Sequence, residues 1–209
     1  MQVPTIFCTC VLALIIGLSS CTLDPRLGYE QPKDPYSLPS MDGDALNVIV
    51  EIPAGTNHKV EYHVESGFRD DTLAGGVRRV INFLPYPGNY GFIPSTMMDK
   101  ARGGDGDALD ILVISETIPT GSRISVKPIA TLLLKDRGEL DTKIIGVPVD
   151  SNLQVFQVDN YLDFALKHDA ARNIIESWFL NYKGQGVTEL IRWEDDAYAW
   201  REVRKWKID

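Results

Sequence analysis

GGDGDALDILVI, residues 103 to 114, is the stretch on which the fold turns. Asp105, Asp107 and Asp110 stand within six positions, directly ahead of a run of four apolar residues. Carboxylates this close repel one another at neutral pH, so a cation must lie among them or one must hold a proton. Three readings compete. The first is an Asp/Gly turn that is acidic by accident. The second is an EF-hand calcium loop, in which Asp105, Asp107 and Glu116 take the first, third and twelfth places. Leu109 then holds the fifth place, Asp110 replaces the glycine of the sixth, and the run at 111–114 is strand-like rather than helical. The third is a set of hard-cation ligands at the mouth of a barrel, held by the strand that starts at Ile111.

The surroundings favour strands. Residues 46–53 (LNVIVEIP), 59–64 (KVEYHV), 124–134 (ISVKPIATLLL) and 143–149 (KIIGVPV) are short β-branched runs separated by Gly, Pro and Asp turns, the pattern of a small barrel or sandwich. Helical spacing comes later, over residues 160–182 with Asp159 as cap and Gly184 as stop. It returns at Ala197, Trp200, Val203 and Trp206. Strands followed by helices predict an α+β domain with helices against one side of a barrel.

The first 20 residues carry no charge, and their apolar run at 11–18 ends in Leu18-Ser19-Ser20-Cys21. This ending resembles a bacterial lipobox. The resemblance implies a signal peptide over 1–20, a lipid on Cys21 and a location in the cell envelope on the periplasmic or outer-membrane side, with the cytoplasm as the lesser alternative. Without Lys or Arg ahead of the run, an uncleaved anchor is the second reading, although the run falls short of the ~20 residues of a span. Residues 21–44, rich in Pro, Asp, Ser and Gly, are expected to be a flexible tether, and 45–209 the folded domain.

Composition narrows the chemistry. All three cysteines lie at or before Cys21, so the folded part has no disulfide and no thiolate metal site. His58, His63 and His168 have no metal-ligand spacing, which leaves hard, oxygen-bound cations. With 21 basic and 29 acidic residues the net charge is -8, and nucleic acid is excluded as a partner.

Further polar clusters decide between the turn and the cation site. Residues 135–143 (KDRGELDTK) supply Asp136, Asp141 and Lys143 in a loop between two strands. Lys59 and Glu61 share one strand face, with Val60 pointing away, and Glu51 lies in the strand before them. Residues 85–94 (PYPGNYGFIP), 181–184 (NYKG) and the doublet Arg78-Arg79 add Tyr86, Tyr90, Tyr182, Lys183 and arginine.

In this order the motifs IEIP, K-x-E, PYPGNYGFIP, DGDALDILV, D-x(4)-D-x-K and NYKG resemble family I soluble inorganic pyrophosphatase, from Leu46 to Trp206. Two positions depart from that pattern, Ala108 in place of Pro and Val60 in place of Tyr; neither removes a ligand. The resemblance implies a five-stranded, OB-like closed barrel with flanking helices. It also implies hydrolysis of inorganic pyrophosphate, arriving as its magnesium complex, with several magnesium ions as cofactors and manganese as an alternative. By position, Asp105, Asp110 and Asp141 would hold central metal ions and Asp136, Glu51 and Glu61 outer ones. Lys59, Tyr90, Lys143, Tyr182 and Lys183 would bind phosphate together with an arginine. Counting from Tyr86 selects Arg78 for that arginine, and the Arg-Val-hydrophobic pattern selects the preferred Arg79. The loop after Lys183 is shorter than in typical members and carries Gln185 where a lysine is expected.

The chemistry agrees. Attack on a polyanion needs its charge neutralised, and Asp107, between two ligands, would take the proton of the attacking water. A homo-oligomer is also implied, although a lipid on every subunit would require all tethers to reach one membrane. The rival reading is a catalytically silent calcium- or phosphate-binding surface lipoprotein on the same fold.

Overall fold

The computed structural model describes residues 29–208. Its centre is a mixed, mainly antiparallel sheet. It contains β1 (Met41–Asp42), β2 (Ala45–Ile52), β5 (Asn89–Ile93), β6 (Leu109–Val113), β7 (Arg123–Asp136), β8 (Glu139–Pro148) and β9 (Thr188–Asp195), in the order β1-β2-β5-β6-β8-β7-β9. A further pairing of β2 with β7 joins five of these strands, β2, β5, β6, β8 and β7, into a ring. β3 (Val60–His63) and β4 (Gly67–Asp70) form a separate two-stranded sheet. Three helices, α1 (Tyr161–Lys167), α2 (Asp169–Asn181) and α3 (Asp196–Trp206), complete the chain. The sheet dominates, as the α+β expectation requires.

Strand alternation divides the core in two. Leu109, Ile111 and Val113 of β6, Val48 and Val50 of β2 and Ile144 of β8 join one cluster with Ala199, Val203 and Trp206 of α3. Leu112 of β6 and Ile145 and Val147 of β8 face the other cluster, with Phe164 of α1 and Ile175, Trp178 and Phe179 of α2. Asp110 and Lys143 stand two residues before Leu112 and Ile145 respectively, on the same strand faces, at the rim of strands whose neighbours anchor these cores. Because β6 and β8 are parallel with Asp110 opposite Lys143, carboxylate and ammonium are neighbours by register.

Several sequence expectations shift. The single helix expected over 160–182 is two helices broken at His168, and the cap is Asn160, whose side chain accepts from Asp163 N–H at 3.0 Å, not Asp159. The last helix buries Ala199, Glu202, Val203 and Trp206 rather than Ala197. β5 and β9 are additions, the first fully buried and the second mostly exposed. Within the segment expected as tether, residues from Tyr29 to Asp44 lie against the ring. Pro35 and Ser40 are buried, β1 pairs with β2, and Ser95 Oγ donates to the carbonyls of Tyr36 and Leu38 at 3.2 and 2.8 Å. The leader and Cys21 lie outside the described residues; among those described, no helix is long and apolar enough to cross a membrane.

Candidate active site

A cavity of about 310 Å³ opens where β6, β8 and the end of α2 meet. Asp105, Asp107 and Asp110 line it, with Asp136, Asp141, Lys59, Arg79, Lys143, Tyr90, Tyr182 and Lys183. A wider groove of about 630 Å³ continues from it, sharing Lys59, Tyr90, Asp107 and Asp110 and adding Glu51 and Glu61. Among the described residues, every site residue proposed from sequence except Arg78 therefore borders these two adjoining spaces.

Local structure explains each placement. Gly106 has φ of 92°, a left-handed conformation that favours glycine, and a side chain there would also meet the Lys100 stem at 2.5 Å. The resulting turn lets Asp107 N–H donate to Asp105 Oδ1 at 3.0 Å. Leu109 N–H donates to Thr96 Oγ1 at 2.9 Å, which fixes the entry of β6 and hence Asp110. Tyr90 is carried on β5, whose Gly91 approaches β2 so closely that a Cβ would sit 1.9 Å from Ile49 O. Asn89 pins the same strand, accepting from Ala54 N–H and Ile118 N–H and donating to Ser115 Oγ and Glu116 O.

Residues 135–143 differ from the expected loop. Asp136 ends β7, Asp141 and Lys143 are in β8, and Arg137 and Gly138 make a two-residue turn with φ of 50° and 91°. Two successive positive φ values are the type I′ signature of a tight hairpin. Glu139, Asp141 and Lys143 consequently alternate onto one strand face. Arg137 and Glu139 also line the cavity. Sequence reasoning missed both, although period-two spacing from Asp141 could have found Glu139.

Lys143 is the electrostatic centre. The residue is 3% exposed, and its ammonium lies 2.5 Å from Asp141 Oδ1, donates to Tyr90 Oη at 3.0 Å and contacts the Asp110 carboxylate. Burial works against its charge, but Asp110 and Asp141 outweigh burial and raise its pKa well above the usual value. For Asp141, burial would raise the pKa, but Lys143, with help from Lys183, holds it below the usual value. Lys183 donates to Asp136 Oδ2 at 2.7 Å, and Lys59 contacts Glu61 and lies 3.9 Å from Asp71. Burial raises the Tyr90 phenol well above its usual value, and Asp110 adds to that shift, so it remains a proton-bearing donor.

Asp107 stands apart. Among the described residues its carboxylate forms no hydrogen bond or ion pair, and it is exposed to the cavity. Burial of part of the group, then the charges of Asp110 and Glu61, raise its pKa, with Lys59 and Lys100 opposing. Asp105 is raised by burial and by Asp110 and Asp107, against its hydrogen bond from the Asp107 amide. Glu51 accepts from Tyr62 N–H at 2.8 Å, yet burial pushes its carboxyl up to about 8. The two arginines separate clearly. Arg79 reaches the cavity and pairs with Asp71 at 3.0 Å, while Arg78 pairs with Asp70 at 2.9 Å and does not line it.

The donor set suits hard cations. It is made of carboxylate oxygens, and Asp136 Oδ1 is buried without a hydrogen-bond partner, an acceptor left open on the cavity wall. Among the described residues no three such ligands converge on a single point as they stand. Lysine ammoniums lie beside some of them instead, Lys143 between Asp110 and Asp141 and Lys183 against Asp136, while Asp105 and Asp107 have no cationic partner among the described residues.

An acid-rich cavity threaded with Lys, Arg and Tyr donors at one end of a strand ring defines a class, a polyanion-handling site built on oxygen ligands. The family model "Inorganic pyrophosphatase" matches residues 48–208. The inorganic pyrophosphatase of Sulfolobus acidocaldarius is 41% identical over 142 residues, covering 67% of this chain and 75% of that protein. That of Agrobacterium fabrum is 34% identical over 170 residues, covering 78% and 88%. Among solved structures, the enzyme from Thermus thermophilus superposes with a TM-score of 0.69 at 28% identity, covering 82% of this chain and 95% of that one. The type I enzyme from Toxoplasma gondii gives 0.74 at 26%, covering 82% and 84%. The chain belongs to the inorganic pyrophosphatase family.

One expectation is corrected by these findings. None of these relatives or structures is described as a lipoprotein or an envelope protein, and the lipid-anchored envelope location therefore does not stand.

Proposed function

We propose that the cavity carries out the family's reaction, hydrolysis of inorganic pyrophosphate to two phosphates, with Asp107 as general base. Water attacks one phosphorus, its proton passes to an Asp107 carboxylate oxygen, and the bond to the bridging oxygen breaks to release the second phosphate. The Asp107 carboxylate, which lines the cavity between Asp105 and Asp110 and among the described residues forms no hydrogen bond or ion pair, is the observation that carries the assignment.

The phosphate oxygens are assigned to Lys59, Arg79, Lys143 and Lys183 and to the phenols of Tyr90 and Tyr182. The phenols are held by packing before substrate arrives, whereas the cationic donors would exchange carboxylate partners for phosphate oxygens. Tyr182 is fixed by stacking on Trp178, with centroids 4.4 Å apart. Trp178 in turn donates to Leu84 O at 2.9 Å.

Asp105, Asp110 and Asp141 would hold the central divalent cations, and Asp136, Glu51 and Glu61 the outer ones. When bound, magnesium, or manganese as the alternative, neutralises phosphate charge and acidifies a water. The lysine contacts with Asp110, Asp136 and Asp141 then become available to phosphate, because a carboxylate engaged by a cation needs its ammonium less. A catalytically silent binder would have no use for an unpaired, raised-pKa carboxylate between two ligands. Phosphate release from pyrophosphate with magnesium, abolished by thorough chelation and restored by adding magnesium back, is the expected result. Absence of release with magnesium would refute the reading.

A further inference from the structure

The hairpin of β3 and β4 holds Glu61, with Lys59 just ahead of it, over the wider groove, yet it forms no strand pairing with the ring. A two-stranded hairpin is marginal by itself, so something must dock it. One tie is the Tyr62 amide, which donates to Glu51 Oε1 at 2.8 Å. The others at this end are aromatic. The Tyr62 ring packs on Phe92 of β5 at 6.2 Å, and inside the hairpin on its cross-strand partner Phe68 at 4.9 Å. Between hairpin and ring lies Tyr36, 5.2 Å from Tyr62 and 4.7 Å from Phe92.

Tyr36 comes from the segment ahead of the strands, not from the shared motifs. Its backbone is tied to the turn after β5 by Ser95 Oγ, which donates to the carbonyls of Tyr36 and Leu38, and Pro35 beside it is buried. The Tyr36 side chain therefore reaches the hairpin from a hydrogen-bonded base and borders the groove beside Glu51 and Asp107. We propose that Tyr36 is a positioning residue, an aromatic wedge that seats the β3–β4 hairpin so that Glu61 and Lys59 face Glu51 across the groove. The inference rests on the reading of Glu51 and Glu61 as ligands of the outer cations.

The test compares the full chain with Tyr36→Ala, Tyr36→Leu and Tyr36→Phe. Hydrogen–deuterium exchange of amides 60–70 is read without metal, and activity is read against magnesium concentration. Losing two aromatic contacts should speed exchange at 60–70, the Tyr62 amide included, about tenfold in the Ala and Leu variants. Exchange in β6 and β8 should stay unchanged, and Tyr36→Phe should match the wild type. The magnesium concentration for half-maximal activity should rise severalfold, with kcat at saturation kept within about twofold. Unchanged exchange at 60–70 would overturn the wedge. Equal acceleration in β6 and β8 for both Ala and Leu variants would overturn it too, in favour of a general structural role. Faster hairpin exchange with unaltered magnesium dependence would overturn the positioning role while locating the failure in the ligand assignment of Glu51 and Glu61.

Discussion

Replacing Lys143 by methionine removes the charge at the centre of the cavity while keeping most of the side-chain volume. Deleting one partner of a buried ion pair costs about 3–5 kcal/mol, because the other charge is left uncompensated. Two carboxylates are left here, but they differ: the Asp110 side chain is 24% exposed and can relax toward water, whereas that of Asp141 is 11% exposed. The deficit then rests mainly on Asp141, and metal-free Lys143→Met should be about 3 kcal/mol less stable at pH 7. The sign with pH follows from the pair. Asp141, held below its usual value, contributes stability above the unfolded value of 3.8 and loses it as pH falls through the lowered folded value. Lys143, raised, contributes throughout the acidic and neutral range and loses its contribution only as pH rises through its folded value. Without Lys143, burial dominates at Asp141 and the ionised form becomes a penalty. Urea denaturation in chelator should therefore show a gap from the wild type that is large at pH 7 and shrinks toward pH 4. Adding Asp141→Asn to Lys143→Met should restore at least half of the loss. A gap below about 1 kcal/mol at pH 7, or one that does not narrow on acidification, would refute the electrostatic reasoning.

Glu51, with its carboxyl raised to about 8, favours the folded state less as pH climbs from 4.5 toward 8 in the absence of metal. Glu51→Gln should flatten that part of the metal-free stability profile, measured by denaturation at pH 5 and pH 8.5. Arg79→Ala should raise KM for pyrophosphate about tenfold or more, the loss of one charge-assisted contact, while Arg78→Ala stays within about twofold. Steady-state kinetics distinguishes the two; equal effects would show that cavity lining does not select the arginine. Excess calcium should inhibit the magnesium-supported rate, since its larger and looser oxygen shell misplaces the groups around it.

Much of the ring was legible because alternation and β-branched runs are local signals. The runs expected around Leu46, Lys59, Ile111, Ile124 and Lys143 all contain strands. β5 was not legible as a strand, since Asn89 and Gly91 are poor strand formers and only their fit against β2 and two surrounding loops makes the conformation favourable. β9 escaped because its exposed edge alternates no apolar face. The candidate site was legible as a set of residue types, but its pairing was not. That Lys143 lies between Asp110 and Asp141 depends on β6 and β8 being parallel in one register, a long-range fact. Arg137-Gly138 held the clue to a tight hairpin in place of a loop, which converts spacing across residues 136–143 into a shared face. The packed segment from Tyr29 to Asp44 resembled a linker in composition, and only the burial of Pro35 and Ser40 and the packing of Tyr36 on Tyr62 and Phe92 distinguish it.

The role of Asp107 is open to a direct measurement, turnover of Asp107→Asn and Asp110→Asn as a function of both magnesium concentration and pH. Asp107→Asn keeps the size of the side chain but removes the proton acceptor, so metal and pyrophosphate should still bind. Turnover should fall about 100- to 10,000-fold, without rescue by magnesium and with partial recovery at higher pH, where hydroxide is more abundant. Asp110→Asn should instead weaken metal binding, and added magnesium should restore part of its activity. Turnover of Asp107→Asn equal to wild type at saturating magnesium would contradict the assignment of Asp107 as the base.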